Sequence, residues 1–420
     1  MSSFNLTETA KNARQAARTL AAASTEVKNR ALEAIAVKIE SNKEKIQKIN
    51  QKDIEAGKKQ GLSDALLDRL LLTPERITGM VEGIRQVKQL TDPVGEVLEM
   101  QRRPNGLKIG RQRVPLGVIG IIYESRPNVT VDAAVLCLKS GNCTILRGGS
   151  EAQHSNYFLV DIIQEAISPH LPATAVQIMR SQAHSLVDKM LKMDRSIDII
   201  IPRGGENLIR MVTEKSTIPV IKHYKGVCHT YVSEQADKKM AKKICVNAKT
   251  QRPGVCNAME TLVLNKNLPL DFIKDLLATL HQAGVQLKVD GWLVDLLAGS
   301  TIPLEKASES DWNNEYLDLI LNVKTVADLS EAIDHINTYA SNHSDAIITE
   351  NYSEAERFIN EVDSAAVYVN ASTRFTDGFE FGLGAEIGIS TERLHARGPM
   401  GLRELTIPKY IIYGQGQIRS

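Results

Sequence analysis

Two stretches decide the fold: VPLGVIGIIYESRPN over residues 114–128 and LKSGNCTILRGG over residues 138–149. Each carries a short apolar run that stops at turn-forming polar or glycine residues, and each is followed by a stretch with helical spacing. Short apolar runs that alternate with helices are the signature of parallel strands buried on both faces. Similar runs predict strands over 118–122, 144–147, 175–179, 197–201 and 218–221, with helices over 131–139, 153–167, 186–192 and 206–215. That alternation predicts an α/β, doubly wound nucleotide-binding sheet whose ligand sits at the carboxyl ends of the strands.

Toward the carboxyl end a second α/β set is expected, with strands over 230–232, 261–264, 317–323, 346–349 and 366–369. Its helices are expected over 238–249, 270–283, 326–339 and 353–361. Toward the amino end, Leu32, Ile35, Ile39, Ile46 and Ile49 recur at helical spacing and form one buried stripe. Ser41 with Glu44 fits a capping box, and Thr73 before Pro74 fits another helix start. The runs 108–114 and 405–413 belong to neither lobe and are expected as strands of a small oligomerisation flap.

Composition narrows the classes of function. The 420 residues include 51 Lys plus Arg against 50 Asp plus Glu, so the net charge of +1 supplies no field to attract nucleic acid or an anionic membrane. Apolar runs are broken by Pro115, Gly117 and Gly120 well short of the roughly 20 residues a membrane span needs, and residues 1–18 carry no apolar leader. A small-molecule partner and a cytoplasmic location are expected. Five scattered cysteines, an odd number without a CxxC pair, indicate a reducing compartment.

Of those cysteines Cys256 is the candidate nucleophile, because Pro253 and Gly254 set it on a tight turn and Asn257 keeps its surroundings polar. Cys137 and Cys143 lie in apolar stretches and read as core. The loop IPRGGEN over 201–207 follows a strand and opens a helix, so its backbone N–H groups are candidates to receive a phosphate. The GxGxxG fingerprint is absent after the first strand, which disfavours an ordinary Rossmann dehydrogenase. His223, Cys228 and His229 do not complete a tetrahedral ligand set, so no metal is expected. GxSxG and Walker A sequences are also absent, which removes hydrolase and P-loop kinase readings.

The segment FGLGAEIGIST over 381–391, continued by HARGP over 395–399, resembles the gamma-glutamyl phosphate reductase family of the aldehyde dehydrogenase superfamily, as do residues 252–257, 123–129 and 138–149. The resemblance implies an aldehyde dehydrogenase-like fold with a cofactor domain (1–104 and 117–226), a catalytic domain (227–395) and a small β oligomerisation flap (105–116 and 396–420). It implies reduction of gamma-glutamyl phosphate to glutamate 5-semialdehyde with NADPH, a homo-oligomer, and glutamate 5-kinase as a candidate partner.

By the same resemblance Cys256 matches the nucleophile and Asn128 the asparagine that shares the oxyanion hole. Arg147 stands where the superfamily usually has a lysine near the adenosine ribose, and its guanidinium offers a partner for a ribose 2′-phosphate; Gly148 and Gly149 beside it are further candidate cofactor contacts. Arg203, Gly204 and Gly205 fall to the cofactor phosphates or nicotinamide amide, and Glu315 matches a glutamate that holds the nicotinamide ribose. Arg374, flanked by Ser372 and Thr373, is the candidate for the substrate carboxylate. Residues 221–226 lack the glutamate with which hydrolytic aldehyde dehydrogenases activate water, which argues against the rival reading of a hydrolytic NAD-dependent enzyme. A non-catalytic nucleotide-binding protein is the other rival, and Cys256 together with Asn128 speaks against it.

Overall fold

The computed structural model describes residues 4–419, which divide into two compact units: 4–222 with 382–388 and 400–419, and 223–381 with 389–399. In the first unit the amino-terminal helices α1 (Leu6–Ala21), α2 (Thr25–Ser41), α3 (Lys43–Lys59), α4 (Asp64–Leu70) and α5 (Pro74–Gln89) precede the sheet. The expected stripe is buried at Leu32, Ile35, Ile39 and Ile46, while Ile49 is only half-buried. Thr73 caps α5 as expected, its hydroxyl accepting from the Arg76 N–H at 3.2 Å. The capping box at Ser41 does not form. Ser41 ends α2 and its hydroxyl donates back to the Lys38 carbonyl, so Asn42 begins α3 without a side-chain cap. Back-bonding to the preceding turn competes with capping for the same hydroxyl.

Two antiparallel strands, β1 (Val97–Arg102) and β2 (Lys108–Pro115), come next. The central sheet of this unit is parallel and built from β3 (Val118–Tyr123), α6 (Pro127–Lys139), β4 (Cys143–Gly148), α7 (Gln153–Ile167), β5 (Val176–Ile178), α8 (His184–Met190), β6 (Ile199–Arg203) and α9 (Glu206–Lys215). Its order is β5-β4-β3-β6, with every residue of β3 buried. The strand expected over 218–221 shrinks to a single bridge between Ile200 and Val220. Ile200 donates to the Pro219 carbonyl and accepts from Ile221, but proline has no N–H with which to extend the ladder.

The second unit is a seven-stranded parallel sheet of order β10-β9-β11-β8-β7-β12-β13. In chain order it contains β7 (Cys228–Val232), α10 (Lys238–Thr250), β8 (Met259–Asn265), α11 (Leu270–Gln282), β9 (Gln286–Val289), α12 (Gly291–Leu296) and β10 (Leu304–Lys306). Then follow β11 (Ile320–Val326), α13 (Leu329–Tyr339), β12 (Ser344–Ile348), α14 (Tyr352–Glu361) and β13 (Ala366–Val369). Strands β9 and β10 had no counterpart in the sequence reading. Leu262, Leu264, Leu287, Val289, Leu321 and Val323 meet the apolar faces of α10 and α11 in a continuous core.

Three strands close the chain. β14 (Gly388–Ser390) pairs with β15 (Gly398–Met400), and β16 (Thr406–Tyr413) runs antiparallel along β2 from Thr406 opposite Pro115 to Tyr413 opposite Lys108. A three-stranded sheet β1-β2-β16 results, with Val97, Leu98, Met100, Ile407, Tyr410, Ile412 and Tyr413 exposed on it. Among the described residues no helix is long and apolar enough to cross a membrane.

Candidate active site

The two units carry separate sets of the candidate residues. In the first, Arg147 and Gly148 end β4, Arg203 ends β6, and the turn 123–128 leaves β3 between them, since β3 pairs with both neighbours. The carboxyl ends of adjacent parallel strands therefore bring Arg147, Gly148, Gly149, Arg203, Gly204 and Gly205 to one edge, as the sheet pattern predicts.

Three of the glycines there are closely approached by side chains, whereas Gly205 has open space around it. A Cβ on Gly148 would stand 2.1 Å from the Asn156 amide, on Gly149 2.1 Å from the Glu151 carboxylate, and on Gly204 2.3 Å from the Glu124 carboxylate. Those two acids are the contacts that sequence reasoning missed. Glu124 accepts from the Gly205 N–H at 2.9 Å, the donor that opens α9. Glu151 accepts from both the N–H and the hydroxyl of Ser125, at 2.6 and 2.7 Å. These bonds hold Ser125 at φ 38°, a left-handed conformation that costs a non-glycine residue about 1–3 kcal/mol.

Arg147 is half-buried. Its Nη1 donates to the Gly148 carbonyl at 2.7 Å, while its Nε is buried without a hydrogen-bond partner. An orphaned guanidinium nitrogen beside a glycine edge is the donor set an anionic ligand completes. Asn128 sits in the first turn of α6, and its Nδ2 donates to Asp132, four residues on, at 3.0 Å. Desolvation raises the Asp132 carboxyl to about 6 against the pull of this bond. The amide is thus aimed by a side chain of its own helix.

In the second unit Cys256 lies on the turn between α10 and β8. It is partly accessible, whereas Cys137, Cys143, Cys228 and Cys245 are buried and burial pushes each of their thiols up. The turn is fastened from several sides. The Cys228 thiol donates to the Cys256 carbonyl at 3.2 Å, and the Asn257 amide donates to the Thr376 carbonyl at 2.8 Å. Gly226 passes so close that a Cβ there would stand 1.9 Å from the Cys256 carbonyl oxygen. Glu315 accepts from the Gly226 N–H at 2.9 Å, so it belongs to the surroundings of Cys256.

Ser372 caps a short helical turn, Thr373–Phe375, against the same loop. Thr373 is buried and its hydroxyl donates to the Asn257 carbonyl at 2.8 Å, while the Ser372 hydroxyl accepts from the Arg374 N–H. The Thr373 hydroxyl proton is spent on building the loop, whereas the Ser372 hydroxyl only accepts in this turn. The Arg374 Nε donates to Gln251 at 2.9 Å.

The histidines rearrange the sequence picture. His229 lies on the other face of β7 from Cys228, against Asp345 and the ring of His335. His223 instead joins Cys256 and His343, with one potential ligand atom from each lying within 4.8 Å of the others. His343 precedes β12 and carries no spacing signal that links it to either partner.

Residues 2–293 and 307–395 match the aldehyde dehydrogenase family. The chain is 55% identical to gamma-glutamyl phosphate reductase of Carboxydothermus hydrogenoformans, with 98% of each chain covered, and 52% identical to that of Clostridium tetani, with 97% of each covered. The crystal structure of gamma-glutamyl phosphate reductase from Thermotoga maritima superposes with a TM-score of 0.96 at 45% identity, covering 99% of this chain and 100% of that one. The chain belongs to the aldehyde dehydrogenase family and, within it, to the gamma-glutamyl phosphate reductases.

Proposed function

We propose that the chain catalyses the NADPH-dependent reduction of L-glutamyl 5-phosphate to L-glutamate 5-semialdehyde and phosphate through a thioester on Cys256, the second step of proline biosynthesis from glutamate in the cytoplasm. The observation that carries this reading is Cys256 itself: the accessible thiol among five, on a turn tied down by Cys228, Asn257 and the backbone of Gly226. The relatives' common activity supplies the substrate.

The Cys256 thiol gives up its proton, with the imidazoles of His223 and His343 as the nearby bases. The thiolate attacks the acyl carbon, and the carbonyl oxygen takes negative charge that the Cys256 N–H and the Asn128 amide are assigned to receive, each such donor contributing about 3 kcal/mol. Phosphate leaves with its bonding pair and a thioester remains. Bound NADPH supplies a hydride, and Arg147, Gly148, Gly149, Arg203, Gly204, Gly205 and Glu315 are the residues assigned to hold it. The reduced carbon then expels the Cys256 thiolate, releasing the aldehyde. Arg374 is assigned the α-carboxylate of the glutamyl group. The strip of exposed apolar residues on β1 and β16 is the surface on which we place a homo-oligomeric contact.

Running the reaction backwards tests this reading and avoids the unstable acyl phosphate. Glutamate 5-semialdehyde should reduce NADP only when phosphate is present. Formation of free glutamate with no need for phosphate would return the chain to the hydrolytic enzymes.

A further inference from the structure

Around the Cys256 sulfur the two imidazoles that stand as nearby bases also complete a soft donor set. One atom each from Cys256, His223 and His343 lies within 4.8 Å of the others. The two imidazole rings meet edge to face with centroids 5.6 Å apart. Each ring is oriented through Nδ1. His223 Nδ1 lies 2.8 Å from the Ile389 carbonyl oxygen, and His343 Nδ1 lies 2.9 Å from the Ser344 hydroxyl. At His223 the backbone carbonyl fixes the tautomer in which Nδ1 carries the proton and Nε2 offers a lone pair, the outer-shell arrangement of metal-bound histidines, while at His343 the Ser344 hydroxyl orients the ring.

We propose that Cys256, His223 and His343 form a site for a soft divalent cation, best matched by Zn2+, whose occupation caps the nucleophile and switches the enzyme off reversibly. One thiolate and two imidazoles suit zinc and discriminate against Mg2+ and Ca2+, which require oxygen ligands. Zinc–sulfur and zinc–nitrogen bonds of about 2.3 and 2.0–2.1 Å place tetrahedral ligands roughly 3.3–3.7 Å apart. From separations of at most 4.8 Å the three donors need to close by up to roughly 1.1–1.5 Å to reach that spacing. His223 and Cys256 are partly accessible, so a cation has a route in, and the fourth position falls to water. Binding replaces the thiol proton by metal, and one proton goes to solvent per ion bound. The site stands on this geometry alone, whereas its effect on turnover rests on Cys256 being the nucleophile.

The experiment uses the untagged, fully reduced chain. One equivalent of Co2+ should give a thiolate-to-cobalt charge-transfer band, equimolar Zn2+ should remove it, and Mg2+ in about thousandfold excess should not. Zn2+ should also shield Cys256 from iodoacetamide, with a chelator restoring alkylation; the other four thiols are buried and stay silent. Cys256→Ser should abolish the band. His223→Ala and His343→Ala should each weaken Co2+ binding at least about tenfold, with NADPH binding and melting temperature recorded to show that the variants fold. His223→Ala carries the test if the buried His343 variant does not fold. No band at one equivalent, or a band of unchanged affinity in the His223 variant, overturns the site. Stoichiometric binding without loss of turnover overturns the inhibitory role and, with it, the nucleophile reading, while leaving the metal site in place.

Discussion

The two sets of candidate residues are fastened by different chemistry. In the first unit the strand-end turns are held by carboxylates: Glu124 on the Gly205 N–H, Glu151 on Ser125, Asp132 on the Asn128 amide. In the second the Cys256 turn is held by a thiol, an amide and a hydroxyl, from Cys228, Asn257 and Thr373. N–H groups already paired with internal anions make an edge that receives an anionic ligand by exchange. The groups bonded directly to the Cys256 turn are neutral, and the neighbouring Glu315 carboxylate is engaged with the Gly226 N–H. Recognition of the cofactor should therefore fail mainly through the first unit, Glu315 being the assigned cofactor residue outside it, and chemistry through the second.

Cys256→Ala is the largest test of that division. Turnover should fall by at least about 1000-fold while the dissociation constant for NADPH, measured by fluorescence titration, stays within about twofold. Residual turnover within about tenfold of the parent, a loss of only 1.4 kcal/mol, sinks the nucleophile assignment.

Asn128 is where the division can break, because it belongs to the first unit and is assigned to the chemistry. Asn128→Ala should lower the single-turnover rate about 100-fold with little effect on NADPH binding, as for loss of one oxyanion donor. Aspartate there should be slower still, since its charge opposes the oxyanion and also faces Asp132. The bond to Asp132 provides the control. If Asn128 only ties the start of α6, melting temperature and rate fall together, and a stable but slow alanine variant is the outcome that keeps the assignment.

Arg147→Ala should weaken NADPH more than NADH, by about tenfold against less than twofold, because only NADPH carries the 2′-phosphate that a guanidinium pairs with. Parallel titrations of the two cofactors measure the ratio. Equal weakening places Arg147 on a part that both cofactors share, and the bond from its Nη1 to the Gly148 carbonyl shows how that would arise: the side chain braces its own strand end.

What the sequence made legible follows from how locally each feature is encoded. Strands β3, β4, β6, β7, β8 and β12 are apolar runs bounded by turn residues and lie close to their expected positions. β9 and β10 were missed because Gln286, Lys288, Glu305 and Lys306 interrupt the apolar pattern near the edge of the sheet, and β1 was missed because all six of its residues are exposed. The stretch 218–221 misled in the opposite sense, since its composition is that of a strand but Pro219 cannot extend the pairing. For the site, Pro253 and Gly254 marked the Cys256 turn, and glycine pairs after strands marked the edge of the first unit. His343 and Glu315 reach the surroundings of Cys256 only through the crossovers of a parallel sheet, which no local spacing records. Glu151 and Glu124 read as ordinary surface acids until the turns they hold are seen.

The smallest effect expected is at Glu124, and it tests the exchange argument directly. Its carboxylate holds the Gly205 N–H, so an incoming phosphate must displace one anion with another at the start of α9. Glu124→Gln keeps the shape and an acceptor oxygen but removes the charge, which lowers both the strength of the bond to be broken and the repulsion felt by the ligand. NADPH should bind about threefold more tightly, roughly 0.6 kcal/mol, with the gain shrinking at high salt because Glu124 is exposed and its field is screened. NADH should gain too, if the contested donor faces the pyrophosphate that both cofactors carry. Titrating the two cofactors at low and high ionic strength reads all of this in one series. Weaker binding in the glutamine variant reverses the argument: Glu124 would then hold Gly204 and Gly205 in the shape the ligand needs, and the edge of the first unit would be prearranged for its cofactor.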